Sequence, residues 1–206
     1  MSATVTTEIP TGPGNVTEPL APMVPRQHPG LLLGLLTASS FLGAGLLFAV
    51  QPMVAKMLLP LLGGSPAVWN TAMVFFQLTL LAGYAYAHFA ITRLGPGPHR
   101  LVQVGLIAAP FLVLPIAVPA GWLAPTSGTP IGWVLLVLLL MVGAPFFALS
   151  TLSPTLQRWL ADTDHPAADN PYFLYAAGNA GSLLSLLAYP LIMEPRLSLE
   201  TQTSLW

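Results

Sequence analysis

From Arg100 to Arg158 the chain carries no charged side chain, and the same holds from Arg26 to Lys56, from Lys56 to Arg93 and from Asp169 to Glu194. The six basic and seven acidic residues among 206 sit at the edges of long runs of Leu, Val, Ala, Phe and Gly. Domains that fold in water are roughly a quarter charged; this chain is 6% charged. So few charges cannot cover so much apolar surface, and lipid is the expected solvent. A hydrocarbon layer about 30 Å thick asks for about 20 mostly apolar residues per helix. Five stretches meet that length: 31–51, 67–91, 101–119, 131–152 and 172–193. In lipid every backbone N–H and C=O must be paired internally, which leaves helices or a closed barrel. Barrel strands alternate apolar and polar residues over short segments, whereas these runs are long and continuously apolar. The expectation is an all-α, polytopic transmembrane helical bundle of about five spans, with residues 30–206 as its domain and the lipid bilayer as its surroundings.

Residues 1–29 are rich in Thr, Pro and Gly without an apolar period, and read as a disordered tail. A secretory signal has a short basic start and a short apolar core; a long polar leader before a full-length span predicts a retained first helix. Gly63-Gly64-Ser65-Pro66 reads as a turn, with Ser65 able to cap the helix that follows. A tight polar connection covers 95–100, and 121–130 joins the third and fourth spans with Trp122 and Trp133 as interfacial anchors. The longest loop, 153–171, holds Arg158, Asp162, Asp164, His165 and Asp169. Of the 22 prolines, Pro52, Pro110, Pro145 and Pro190 fall in or near spans. Kinks there are tolerated where neighbours satisfy the freed carbonyls. Five crossings put Arg26, Arg93, Arg100 and Arg158 on one side and Lys56 and Arg196 on the other. The richer side is expected to be cytoplasmic, which places the N-terminus in the cytoplasm of a cell whose inner membrane holds the protein. Ser204-Leu205-Trp206 reads as the start of another apolar segment, so the domain is expected to be incomplete at its C-terminus.

A net charge of −1 gives no case for nucleic-acid binding. The absence of cysteine excludes disulfides, thiolate metal sites and cysteine nucleophiles. Histidines 28, 88, 99 and 165 lack metal-ligand spacing, and Asp162, Asp164, Asp169 and His165 read as a solvated acidic loop rather than a metal site. Gly12-Pro13-Gly14 and Gly95-Pro96-Gly97 are not phosphate cradles, because no strand precedes them and no Gly-Lys-Ser/Thr follows. No cofactor is expected.

Polar residues inside the spans carry the functional signal. Asn70, Gln77 and Tyr84 are seven apart, and His88 lies one turn beyond Tyr84 on the same side. A polar group in lipid is costly without a partner, so this face is expected to look into the bundle. It reads either as a substrate or proton path or as interhelical glue. Gln51 and Lys56 adjoin the first span; Lys56 can snorkel, bind an anion or pair with Glu194 on the same membrane side. Gly178/Ser182 and Gly181/Ser185 are small-xxx-small pairs that admit a close helix, Gly34/Ala38 is a weaker one, and Asn179 among them can bond a neighbouring backbone. Partners of such faces are other membrane helices or further copies in a homo-oligomer.

Several segments carry a resemblance in order along the chain. They are Phe41-Leu42-Gly43-Ala44-Gly45 leading to Gln51-Pro52, Leu61-Leu62-Gly63-Gly64-Ser65, Ala67-Val68-Trp69-Asn70, Phe75-Phe76-Gln77, Leu81-Ala82-Gly83-Tyr84-Ala85-Tyr86-Ala87-His88, and Tyr172-Phe173-Leu174-Tyr175-Ala176-Ala177-Gly178-Asn179-Ala180-Gly181-Ser182. Together, over most of 31–206, they resemble the membrane region of bacterial spermidine-synthase-like proteins, also described as fused major-facilitator-type/spermidine synthase proteins. The resemblance implies membrane helices preceding a soluble aminopropyltransferase-like domain of Rossmann type. No strand, Gly-rich turn and acidic residue of that domain stand in this sequence, so no catalytic residue is carried over and this chain is not expected to be an enzyme. Two functional readings stand: a non-catalytic N-terminal membrane module, or a half-transporter or small-molecule carrier, of polyamines for instance, working as an oligomer.

Overall fold

The computed structural model describes residues 29–118, 121–122 and 130–206. The expected tail lies outside the described residues, apart from Pro29, and so does most of the 121–130 connection. The described residues are all-α. Helix α1 is Pro29–Leu62, α2 is Pro66–Leu94, and α3 is Pro96–Ala108, continued by a 3-10 turn Ala109–Leu112. Helix α4 runs over Ile131–Ala161 and α5 over Tyr172–Arg196, and a short α6 is Leu199–Leu205.

Each boundary has a local cause. Gly63 ends α1 at φ 72°, with its N–H bonded to the carbonyl of Leu59 at 2.8 Å, the left-handed C-terminal turn that glycine adopts without strain. Ser65 caps α2 by accepting from the Val68 N–H at 3.4 Å, and Pro66 fills the first helical position, where its missing N–H costs nothing. The spans accommodate their prolines in different ways. Pro145 follows a π-turn, Leu139–Gly143, and Pro190 lies inside one, Tyr189–Met193. The wider turn re-pairs carbonyls that a proline cannot serve. Pro110 sits in the 3-10 turn that ends α3, and Pro52 stays inside α1.

Four helices, α1, α2, α4 and α5, are long and apolar enough to cross a membrane. The expected third span differs: helix covers 96–112 and stops before 119. By its rise it measures about 27 Å, a little short of a hydrocarbon core. Gly143 lies against Phe75 and Gly83 against Ser150, so α2 and α4 run in the same direction, and α3 with the segment after it must bring the chain back. The fourth span also extends past expectation. The stretch 153–161 is expected as loop and is polar at Ser153, Thr155, Gln157 and Arg158, yet it is helix. Thr155, Leu156 and Leu160 are buried at helical spacing, while Ser153 and Gln157 are half-buried and Arg158 is exposed. The loop shrinks to 162–171.

Helix α4 is the centre of the bundle: 50% of its apolar window is buried, against 11% for α5. Its Val134, Val137, Leu138, Val142 and Phe146 pack with Val50, Val54, Leu58, Phe75 and Phe76 in the main core. Trp122 and Trp133, expected as interfacial anchors, are partly buried and pack against this core. Outward faces remain apolar, with Leu42, Leu81, Leu101, Phe111, Leu112 and Leu191 all at least 60% exposed. Water does not tolerate so continuous an apolar girdle on a monomer; a bilayer does.

Small residues set the α1–α5 crossing. A Cβ on Gly181 would run into the backbone of Phe41, and one on Gly178 would come 3.2 Å from Ser40 Oγ. The close approach allows two hydrogen bonds from side chain to backbone: Ser40 Oγ donates to Leu174 O at 2.8 Å and Ser185 Oγ to Gly45 O at 2.7 Å. The face on α1 is Ser40, Ala44 and Gly45, one turn from the expected Gly34/Ala38 pair, and Gly34 has nothing within 4 Å of its added Cβ. Residues 40, 45 and 56 of α1 meet 174, 185 and 194 of α5, so these two helices also run parallel.

Candidate functional site

Toward the Leu62 end of α1, the helices α1, α2 and α5 enclose a cleft of about 740 Å³, within the size range of small-molecule sites. Its wall is mainly apolar, and Gln51, Lys56, Trp69, Tyr189, Pro190 and Glu194 line it. At the mouth Lys56 Nζ stands 2.9 Å from Glu194 Oε1, the side chains 36% and 46% exposed. That much exposure limits the pair's own contribution to stability to roughly 0–1 kcal/mol. Its consequence is positional: it fixes one cation and one anion, from helices far apart in sequence, at the entrance. Of the alternatives for Lys56, pairing with Glu194 is the one the geometry shows.

Pro52 lacks the N–H that would bond the carbonyl of Phe48 in a regular helix, and both residues line the cleft. The Tyr189 hydroxyl is buried without a hydrogen-bond partner among the described residues. Gln51 Nε2 turns back to its own helix, donating to Leu47 O at 3.2 Å. The set suits a ligand that donates hydrogen bonds from a cationic head and buries an apolar arm.

A second polar cluster joins α3 to α4 near the opposite membrane face. His99 and Gln103, one turn apart on α3, face Thr151, Thr155 and Trp159 on α4. Gln103 Nε2 donates to Thr151 Oγ1 at 2.6 Å, and Trp159 Nε1 to His99 Nδ1 at 3.4 Å. Accepting at Nδ1 puts the proton of neutral His99 on Nε2. Burial lowers the basicity of His99, and the Asp162 carboxylate offsets part of that. His99 Nε2, Gln103 Oε1 and Thr155 Oγ1 find no partner among the described residues, although these three residues are 0–1% exposed. The spacing of 99 with 103 and of 151, 155 and 159 was present in the sequence. It is hard to read there because the expected loop 153–171 separates 155 and 159 from 151, which lies in the expected fourth span.

The polar stripe of α2 does not look into this chain's bundle as expected. Asn70, Gln77, Tyr84 and His88 share a face of α2, but it is the outer face, and all four are exposed. Gly83, Ala72, Phe76, Ala87 and Ala90 occupy the packed side. The expectation failed because it assumed that a polar stripe must turn toward this chain's own helices. The apolar residues of α2 with the smallest and flattest surfaces fit α4 better, and they set its rotation. Asn179 on α5 is likewise exposed and makes no bond to a neighbouring helix, while Ser182 Oγ donates to the Asn179 carbonyl within α5 at 2.9 Å. Gly178, Gly181 and Ser185 do lie at the α1 crossing.

Among the described residues no three His, Asp or Glu side chains gather as a metal site. No protein-family model matches the chain, and no curated protein or solved structure matches it.

Proposed function

We propose that the chain is a non-catalytic integral-membrane module, of the kind that precedes the soluble domain in spermidine-synthase-like proteins, and that its α1–α2–α5 cleft receives a small amphiphilic amine. It sits in the inner membrane with the N-terminus in the cytoplasm, an orientation supported by Arg93, Arg100 and Arg158 at one end of the bundle and Lys56 and Arg196 at the other. The observation that carries the ligand reading is the Lys56–Glu194 pair at the mouth of an apolar cleft. An incoming ammonium takes the place of Lys56 on Glu194, its alkyl arm enters between Trp69 and Tyr189, and Lys56 swings to the headgroups. One carboxylate suits one ammonium, so a single-headed amine binds better than a polyamine. The cleft also favours the second reading, a carrier working as an oligomer, more than the outward α2 stripe does.

The test is binding to the purified chain in lipid nanodiscs, read from Trp69 fluorescence, with dodecylamine and spermidine as probes. Dodecylamine is expected to bind more tightly than spermidine. Glu194→Gln lowers its affinity tenfold or more, and Lys56→Met, which removes the competing cation, raises it. Equal binding by the parent and both variants would overturn the cleft reading.

A further inference from the structure

The exposed polar stripe of α2 has a stricter pattern than a shared face. Asn70, Val74, Gln77, Leu81, Tyr84 and His88 are separated alternately by four and three residues, and every one is exposed, with Val74 at 52%, Leu81 at 65% and Tyr84 at 46%. That spacing is the 3.5-residue repeat by which two helices pack with a left-handed crossing near 20°. The seam covers about 27 Å of helix, close to the full hydrocarbon thickness. Across the helix, Ala72, Phe76, Ala87 and Ala90 are less than 9% exposed and hold α2 to the bundle. The helix therefore has two packing faces, and one lacks its partner.

We propose that this seam is a homodimer interface, in which α2 of one copy packs along α2 of a second copy about a two-fold axis normal to the membrane. Three features select a second copy as the occupant. The period calls for a helix rather than lipid or a loop. The carboxamides of Asn70 and Gln77 each donate and accept, so each satisfies its own equivalent, and a parallel two-fold pair puts every equivalent at the same depth. The seam carries no formal charge, so two copies meet without like-charge repulsion. Left facing lipid, two amides at membrane depth would stay unpaired, which is the costly state for a polar group in hydrocarbon. The proposal is independent of the cleft reading, since it uses none of the ion-pair or proline residues.

The chain lacks cysteine, so single substitutions report without background. Val74→Cys, Gln77→Cys and Leu81→Cys are oxidised in native membranes. Ala82→Cys, off the seam on the same helix, and Leu42→Cys, exposed on α1, are the controls. The expected result is a disulfide-linked species of twice the chain mass, at least fivefold more abundant at seam positions than at either control. In the Leu81→Cys background, Gln77→Leu weakens dimerisation roughly three- to tenfold, the range of one interhelical hydrogen bond in a bilayer, and Gln77→Asn restores part of it. Cross-linking no greater than in the controls overturns the proposal. So does a cross-linked product whose mass is that of a different protein, which would assign the seam to another partner.

Discussion

Adding one methyl group at Gly181 tests how the bundle is closed. The Cβ of Gly181→Ala would lie 2.9 Å from the carbonyl carbon of Phe41 and 3.1 Å from its Cα, and closer still to its oxygen. These are backbone atoms of a long helix, so no side chain can rotate away, and α1 and α5 must separate. Overpacking of this kind costs about 1–3 kcal/mol. Separation also stretches the bonds from Ser40 Oγ to Leu174 O and from Ser185 Oγ to Gly45 O, each worth about 0.6 kcal/mol inside a membrane. The expected loss is about 2–4 kcal/mol, a large part of the 5–15 kcal/mol typical of a folded domain. Gly45→Ala, whose Cβ meets the Gly181 carbonyl oxygen at an ordinary 3.6 Å, costs far less, and Gly34→Ala, with nothing within 4 Å, is neutral or slightly stabilising. Reversible unfolding in mixed detergent micelles, followed by circular dichroism, gives the three values. A Gly181→Ala variant as stable as Gly34→Ala would refute the crossing geometry.

Charge reversal at the cleft mouth separates pairing from snorkelling. Lys56→Glu alone sets two carboxylates facing each other and lowers stability by about 1 kcal/mol, and adding Glu194→Lys recovers most of it; no recovery in the double variant argues against the pair. Because burial lowers the pKa of His99, the unfolded chain takes up a proton there before the folded one does. Stability is then level above the ordinary histidine pKa of about 6.5 and falls as pH drops below it. His99→Phe flattens that acid limb, measured by the same unfolding titration between pH 8 and 5.

Charge spacing alone made the apolar helices and their order legible, because lipid enforces length and composition so strictly. The turn at Gly63–Pro66 was legible through its residue chemistry and was found with Ser65 as the cap. What sequence could not give was rotation about each helix axis. In a lipid-embedded chain both faces are apolar, so the usual difference between inside and outside is missing, and a polar stripe such as Asn70–His88 does not by itself point inward. Gly181 and Gly178 were readable as contact points because only small residues admit a backbone, but their partners Phe41 and Ser40 were not. The Lys56–Glu194 pair is one of three alternatives the sequence leaves open for Lys56, because both residues end spans on the same side, and only the geometry selects it. In the His99–Gln103–Thr151–Thr155 cluster, Gln103 and Thr151 lie inside the expected spans, but His99 and Thr155 lie beyond them, where α3 begins and α4 continues.

The central claim is a bundle that lies in lipid with α1 parallel to α5 and α2 parallel to α4. Single cysteines at Gly64, Gly95, Asp164 and Glu200, labelled with a membrane-impermeant maleimide in sealed vesicles of known orientation, test it directly. The account predicts that positions 95 and 164 label from one side, that 64 and 200 label from the other, and that a cysteine at Ala44 is protected from both. Labelling of all four from a single side, or of Ala44→Cys in intact vesicles, would contradict it.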